Sequence, residues 1–416
     1  MANPHGIPEA MHSAPEAAPA LRLAAALSYL AASEEGRKRQ QQAIDTVRAA
    51  GLSPETILAL IERHRIHSLA LAVLEACDRT ELLGTKELEE LRRRDADSRR
   101  RNLLLALRGG QALRTVQEAG IPCIELKGGP TLSRKLYGDL ALRHCKDMDL
   151  VIPGKRLPEA LSILETAGWK AHFSPVWRTP GYRTIGRYAL RDVPVLDSSG
   201  ECQLELHTRF EYIPDSRLEP IWWEAMRTVD AKELSPVEFL YLIAHGTKHL
   251  WERMKWLGDI AAALDRHPNL LRDAHPFAQE LRLERCLPVL SALMENLYQT
   301  RLPDVPGTTE QASHLAEHCL QALRTKEALE MTALEEVAHR QRHVQFRLTV
   351  LGDRTSPTRR AAFLLFGLLV RPKDLEDFCP RYRIWLPTLP FLRLGSAVWR
   401  YAGHLLHPVP GGAHRN

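Results

Sequence analysis

The sequence predicts an α+β protein in which a small strand-bearing lobe stands between two helical regions. Three observations predict it. The 416 residues exceed what one compact core usually spans. Apolar residues recur at helical spacing before about residue 119 and again after Pro220. Between these stretches lie short apolar or alternating runs in the order strand, turn, helix, strand, helix, strands.

The elements follow in order. Residues 1–20 are rich in Pro and Ala and are expected to be disordered. Residues 21–119 form the first helical region. Ser53-Pro54-Glu55 offers an N-cap and a first-turn proline, Ile57, Leu58, Leu60 and Ile61 carry the apolar face, and Gly120 is placed to end the last helix. Residues 120–215 form the α+β lobe. Ile121–Leu126 reads as a strand, Lys127-Gly128-Gly129-Pro130 as a turn, and the stretch to Tyr137 as an amphipathic helix. Asp147–Ile152 is a second strand, ending at Pro153-Gly154, and Lys155–Gly168 a helix. Tyr188–Leu190, Val193–Asp197 and the cleanly alternating Cys202–His207 complete the strands. Residues 216–374 return to helix, opened at Ser235-Pro236-Val237-Glu238 by a capping box with proline at the first helical position. Residues 375–416 form a tail rich in Pro, Arg and aromatics, without an assignable element.

Composition narrows the classes. With 44% hydrophobic and 26% charged residues, the chain is an ordinary globular protein. Its net charge of +5 is mild, and Arg92–Arg94 and Arg99–Arg101 read as a solvated helix face, so RNA binding is possible without being indicated. Seven scattered cysteines with no Cys-x-x-Cys pair argue for a reducing compartment and against a disulfide framework or a zinc ribbon. The N-terminus lacks the basic start of a signal peptide, and the longest apolar run, Ala361–Val370, is too short to span a bilayer; a cytoplasmic protein is expected.

The chemistry concentrates in the central lobe. On a strand, residues two apart point to one side, so Asp147 and Asp149 project together while Met148 and Leu150 face the core. Paired carboxylates repel unless a cation lies between them. Mg²⁺ suits that place because it takes oxygen ligands and keeps positions for phosphate and water. A third acid would complete a two-metal arrangement. Glu205 is the candidate, on a strand where Gln203, Glu205 and His207 face outward and Leu204 and Leu206 inward. Upstream, Gly128 and Gly129 would let backbone N–H groups approach a phosphate at a helix N-terminus, with Lys127 beside them. Arg143 could reach a triphosphate through its planar fork. Taken singly, each piece is met by a solvated strand end or an ordinary turn. Their order is what points to a site.

These residues carry a resemblance. Leu126-Lys-Gly-Gly-Pro-Thr-Leu-Ser-Arg-Lys-Leu-Tyr-Gly-Asp139, then Arg143, then Asp147-Met-Asp-Leu150, resembles the uncharacterised nucleotidyltransferase family of the DNA polymerase β-like superfamily. Glu205-Leu-His207 resembles its third-carboxylate strand, and Ala244-His-Gly-Thr-Lys-His249 with Leu257-Gly-Asp-Ile260 its downstream helices. The likeness runs over roughly residues 50–265, and its specific motifs lie between about 120 and 210. It implies a small mixed-sheet palm and transfer of a nucleoside monophosphate from an NTP, such as ATP, to an acceptor, with Mg²⁺ or Mn²⁺ as cofactor. Carried over by position, Asp147, Asp149 and Glu205 become the metal-binding and catalytic acids, and Gly128 and Gly129 the phosphate-side turn. Seventeen residues separate the turn from the first aspartate, where the superfamily usually has about a dozen.

Other signals carry less. His245 and His249 have the spacing of zinc ligands on a helix, but Gly246 stands where a metalloprotease has glutamate. They read as helix-face residues, with Lys248 placed to touch a nucleotide. The chain contains no P-loop and no Gly-x-Ser-x-Gly elbow. The alternatives to an enzyme acting on a small molecule, a protein or an RNA end are a catalytically inactive nucleotide-binding or partner-binding member of the same fold, and a helical interaction protein.

Overall fold

The computed structural model describes residues 19–302 apart from 49, 128, 173–191, 209, 211–218 and 228–232, together with 305, 309–324, 343, 346, 349 and 350. The expected strand Tyr188–Leu190 and the tail 375–416 lie outside the described residues.

The first helical region comprises α1 (Pro19–Ala26), α2 (Glu34–Arg48), α3 (Pro54–His64), α4 (His67–Ala76) and the long α5 (Thr85–Glu118). Helix α1 already begins at Pro19, inside the stretch expected to be disordered, because Ala20, Leu21, Leu23 and Ala24 find a core to enter. Ser53 caps α3 through its side chain, which accepts from Thr56 N, with Pro54 in the first turn as expected. Helix α5 ends at Glu118, and Gly120 follows in the left-handed region at φ 72°.

The central lobe is β1 (Ile124–Glu125), α6 (Pro130–Tyr137), β2 (Met148–Val151), α7 (Leu157–Thr166), β3 (Lys170–Ala171), β4 (Asp192–Leu196) and β5 (Gln203–His207). The strands form one mixed sheet in the order β1-β2-β5-β4-β3. Only β2 and β5 run parallel, with Asp149 opposite Glu205 and Val151 opposite His207; the other neighbours are antiparallel. Strand β3 was not expected from the sequence, since two residues cannot display a period.

Alternation splits the sheet into two faces. Met148, Leu150, Val193, Val195, Leu204 and Leu206 point into a core shared with α5 and α7. The chain continues in helices α8 (Glu219–Arg227), α9 (Pro236–Lys248), α10 (Met254–Arg266), α11 (Leu270–Glu280), α12 (Cys286–Tyr298) and α13 (Glu310–Arg324). There a second core joins Val151 and α6 to α9, α10 and the helices beyond, and takes in Leu21 and Ala25 of α1. Beads of polar contact lock this junction. The capping box of α9 forms as expected, and its Glu238 also accepts from Lys135 Nζ of α6 at 2.6 Å. Gly258 brings α10 so close to the turn after α1 that a Cβ there would lie 2.2 Å from the carbonyl oxygen of Ser28.

Candidate active site

The parallel pairing of β2 with β5 places Asp149 directly beside Glu205, and His207 follows two residues on along the same face. Ligand atoms of Asp149, Glu205 and His207 all lie within 4.8 Å of one another. Asp147 stands one residue before β2, half-buried at the rim. The structure thus draws two of the three expected acids into one tight group and leaves the third at its edge.

The electrostatics are uneven. Asp149 is only 3% exposed, and burial alone would favour its neutral form. Lys127 Nζ at 3.0 Å and His207 Nε2 at 2.8 Å outweigh that and hold its carboxyl at about 2. Both contacts end on Oδ1. Glu205 shows the opposite balance: burial, then the charges of Asp147, Asp149 and Asp192, push it up to about 9. Its carboxylate accepts a hydrogen bond from Gln203 Nε2 at 3.1 Å. A glutamate that burial and three neighbouring aspartates keep from ionising marks a cluster short of positive charge.

The donor set fits a hard divalent cation: carboxylate oxygens crowded at the end of a strand pair, with one imidazole behind them. His207 was read from the sequence only as an outward-facing neighbour of Glu205. It is buried, its Nε2–H donates to Asp149, and its Nδ1 has no hydrogen-bond partner among the described residues. The alternation of Gln203, Glu205 and His207 was the available signal.

The segment that delivers Asp147 is pinned from α5. Asn102, fully buried, donates to the carbonyls of Ala141 and Arg143 at 3.0 and 2.7 Å and accepts from Cys145 N at 3.1 Å. Ser133 adds a bond from Arg143 N at 2.9 Å. Arg143 itself is 2% exposed and forms a bidentate pair with Asp259 of α10, both contacts at 2.8 Å. Expected to grip a triphosphate, its fork instead clamps α10 to the segment before β2.

The glycine turn is also occupied. Gly128 lies outside the described residues. Gly129 caps α6, and a Cβ on it would lie 2.0 Å from Glu125 Oε1. The Glu125 carboxylate accepts from Thr131 Oγ1 at 2.7 Å and from Thr131 N at 3.4 Å, so a side chain of the protein already fills this helix N-terminus. Burial raises the pKa of Glu125, against the pull of Thr131. A cavity of about 330 Å³ opens here, lined by Glu125, Lys127, Thr131, Leu132, Met226 and Leu242 among others. Lys127 therefore borders both the cavity and Asp149.

The last turn of α9 faces the same region. The rings of His245 and His249 meet at 4.8 Å and each packs against Trp256 at 5.1 Å. Burial, with the charges of Lys127, His249 and Lys248, holds His245 well below the ordinary histidine range. The pair is packed against a tryptophan, and Lys248 contributes its charge to the same neighbourhood.

No helix among the described residues is long and apolar enough to cross a membrane. A family model described as an uncharacterised nucleotidyltransferase matches residues 51–299. No curated protein and no solved structure matches the chain.

Proposed function

Because the chain belongs to the uncharacterised nucleotidyltransferase family, we propose that it moves a nucleoside monophosphate from an NTP, ATP among the candidates, to an acceptor and releases pyrophosphate. The observation that supports this reading is the crowding of Asp147, Asp149 and Glu205 at the parallel strand pair, which together with burial raises Glu205 to about 9. Mg²⁺ or Mn²⁺ held by these acids would neutralise the charge that builds on the phosphate oxygens.

The residues then divide the work. Lys127 and His207 keep Asp149 ionised and fix its Oδ1. An acceptor oxygen or nitrogen attacks the α-phosphorus, and the bond from that phosphorus to the bridging oxygen breaks. The electron pair leaves on pyrophosphate. Ionised where a cation offsets the neighbouring acids, Glu205 would take the acceptor's proton. Lys127 and Lys248 flank the nucleotide, and the cavity beside Lys127 receives the organic part of one substrate. Arg143 acts as a positioning residue through Asp259.

Release of labelled pyrophosphate from each NTP with Mg²⁺, in host extract as acceptor source, tests this against Asp149→Asn. Release by the wild type that disappears in the variant supports the reading. Equal release by both, or no Mg²⁺–NTP binding by the wild type, would refute it.

A further inference from the structure

The sheet ends at β1, the first of its strands in spatial order. In an antiparallel pair, alternate residues turn their N–H and C=O toward the neighbour, and the residues between turn theirs away. Leu126 N donates to the carbonyl of Asp149 at 2.9 Å, and Glu125 stands opposite Leu150. Ile124 and Leu126 therefore turn their backbone groups to β2, while Glu125 presents its N–H and C=O outward. Among the described residues neither group has a hydrogen-bond partner; the printed bonds of Glu125 are those of its carboxylate with Thr131. The edge is closed one step earlier, where Gln117 Nε2 of α5 donates to the carbonyl of Cys123 at 2.8 Å, as a neighbouring strand would.

The cavity of about 330 Å³ lies along this edge. Successive side chains of a strand point to opposite faces, so a cavity on one face would touch every second residue. Cys123, Ile124, Glu125, Leu126 and Lys127 all line it, which places it beside the strand rather than above it. Its far wall is largely apolar, with Leu132 of α6, Met226 of α8 and Leu242 of α9. The lysines of the lining are engaged by acids: Lys135 meets Glu238 at 2.6 Å and Lys127 meets Asp149 at 3.0 Å. What faces the space is one main-chain donor, one main-chain acceptor and an apolar wall. An open sheet edge of this kind is a template for another chain.

We propose that the free edge of β1 binds an extended peptide segment, added to the sheet as a further strand, with one apolar side chain of that segment against Leu132, Met226 and Leu242. The N–H and C=O of a single residue, turned the same way, match the same two groups of an extended peptide. The space holds a few residues of such a segment and excludes a folded domain. The place relative to the acids follows from main-chain and side-chain bonds: the residue after Glu125 is bonded to the Asp149 backbone, and the next, Lys127, to the Asp149 carboxylate. A segment lying along β1 therefore leads toward Asp149. That it carries the acceptor group rests on the nucleotidyltransferase reading; that it binds does not.

Peptide capture by the full chain, without metal or NTP, tests this apart from turnover. The probe is a pool of end-capped hexapeptides, random except for leucine, phenylalanine or alanine at the third position. Leucine or phenylalanine members should be retained over alanine members. N-methylation along the most strongly retained peptide should weaken its Kd roughly tenfold at one amide and far less at the amides on either side, because alternate amides face opposite edges. Glu125→Pro removes an N–H that the ladder does not use, a position where an edge strand tolerates proline. It should bind that peptide about tenfold more weakly than Glu125→Ala, which keeps the N–H. No retained peptide, a methylation scan without a preferred amide, or equal binding by the two folded variants would overturn the proposal. Displacement of the peptide by adenosine, with methylation of no effect, would assign the edge to a nucleobase and overturn it equally. Peptide binding without pyrophosphate release from any NTP would remove the enzymatic reading and leave the docking edge standing, so the two fail separately.

Discussion

Replacing Glu205 by Gln should make the protein more stable and unable to bind its cation. In chelator at pH 8, the folded chain keeps Glu205 protonated, with its value near 9, while the unfolded chain, at an ordinary 4.5, has released the proton. The folded state binds more protons than the unfolded state across this range, so stability falls as pH rises from about 4.5 to about 9. At about 1.36 kcal/mol per pH unit, the interval from 4.5 to pH 8 gives a ceiling of ~5 kcal/mol. Water at the open rim screens part of the repulsion, which leaves about 2–3 kcal/mol. Glutamine keeps the shape and the acceptor for Gln203 Nε2 but carries no charge to be repelled. Thermal melts in chelator should show a Tm higher by roughly 4–6 °C for Glu205→Gln at pH 8, with the gain shrinking to under about 1 kcal/mol at pH 5. Saturating Mg²⁺ or Mn²⁺ should raise the wild-type Tm and leave the variant unmoved, reversing the order. A variant less stable than the wild type in chelator at pH 8 would refute the argument, because the acids would then not be in conflict.

Asn102→Ala removes three buried hydrogen bonds to the segment before Asp147 and should lower stability by about 3 kcal/mol in urea melts, with weakened divalent-cation binding. Asp259→Ala strands the buried Arg143 guanidinium and should cost about 3–5 kcal/mol, measured by the same melts, whereas loss of a surface pair would cost under about 1 kcal/mol. Gly129→Ala drives a methyl group into Glu125 and should impair NTP binding with little change in far-ultraviolet dichroism; combining it with Glu125→Ala, which clears the clash, should restore part of the affinity measured by calorimetry.

How much of this was legible in the sequence depended on whether a residue's role is local. Capping boxes are local, and Ser53 and Ser235 act as expected. Alternation is local, so the faces of β5 were readable, and with them the placement of Glu205. The partner of a charge is not local. Arg143 looked available for a phosphate because nothing near it in sequence could neutralise it; Asp259, 116 residues later, does so. Glu125 likewise read as part of a strand, and only the fold of the turn swings it over Thr131. The motif Leu257-Gly-Asp-Ile260 illustrates both cases: its apolar ends follow the helical period, while Gly258 and Asp259 answer to Ser28 and Arg143, which lie far away in the chain.

A nascent chain meets these elements one at a time, and the order matters because β2 and β5 are parallel neighbours. Parallel strands cannot be joined by a tight turn, so everything from Ile152 to Cys202 must emerge before Glu205 can settle beside Asp149. Asp259, which fixes the segment leading into Asp147, emerges later still. The acids of the proposed cation site therefore come together only late in the domain's synthesis. Until then each carboxylate is solvated and separate, and a truncated chain ending before residue 259 should show no more divalent-cation affinity than its free acids.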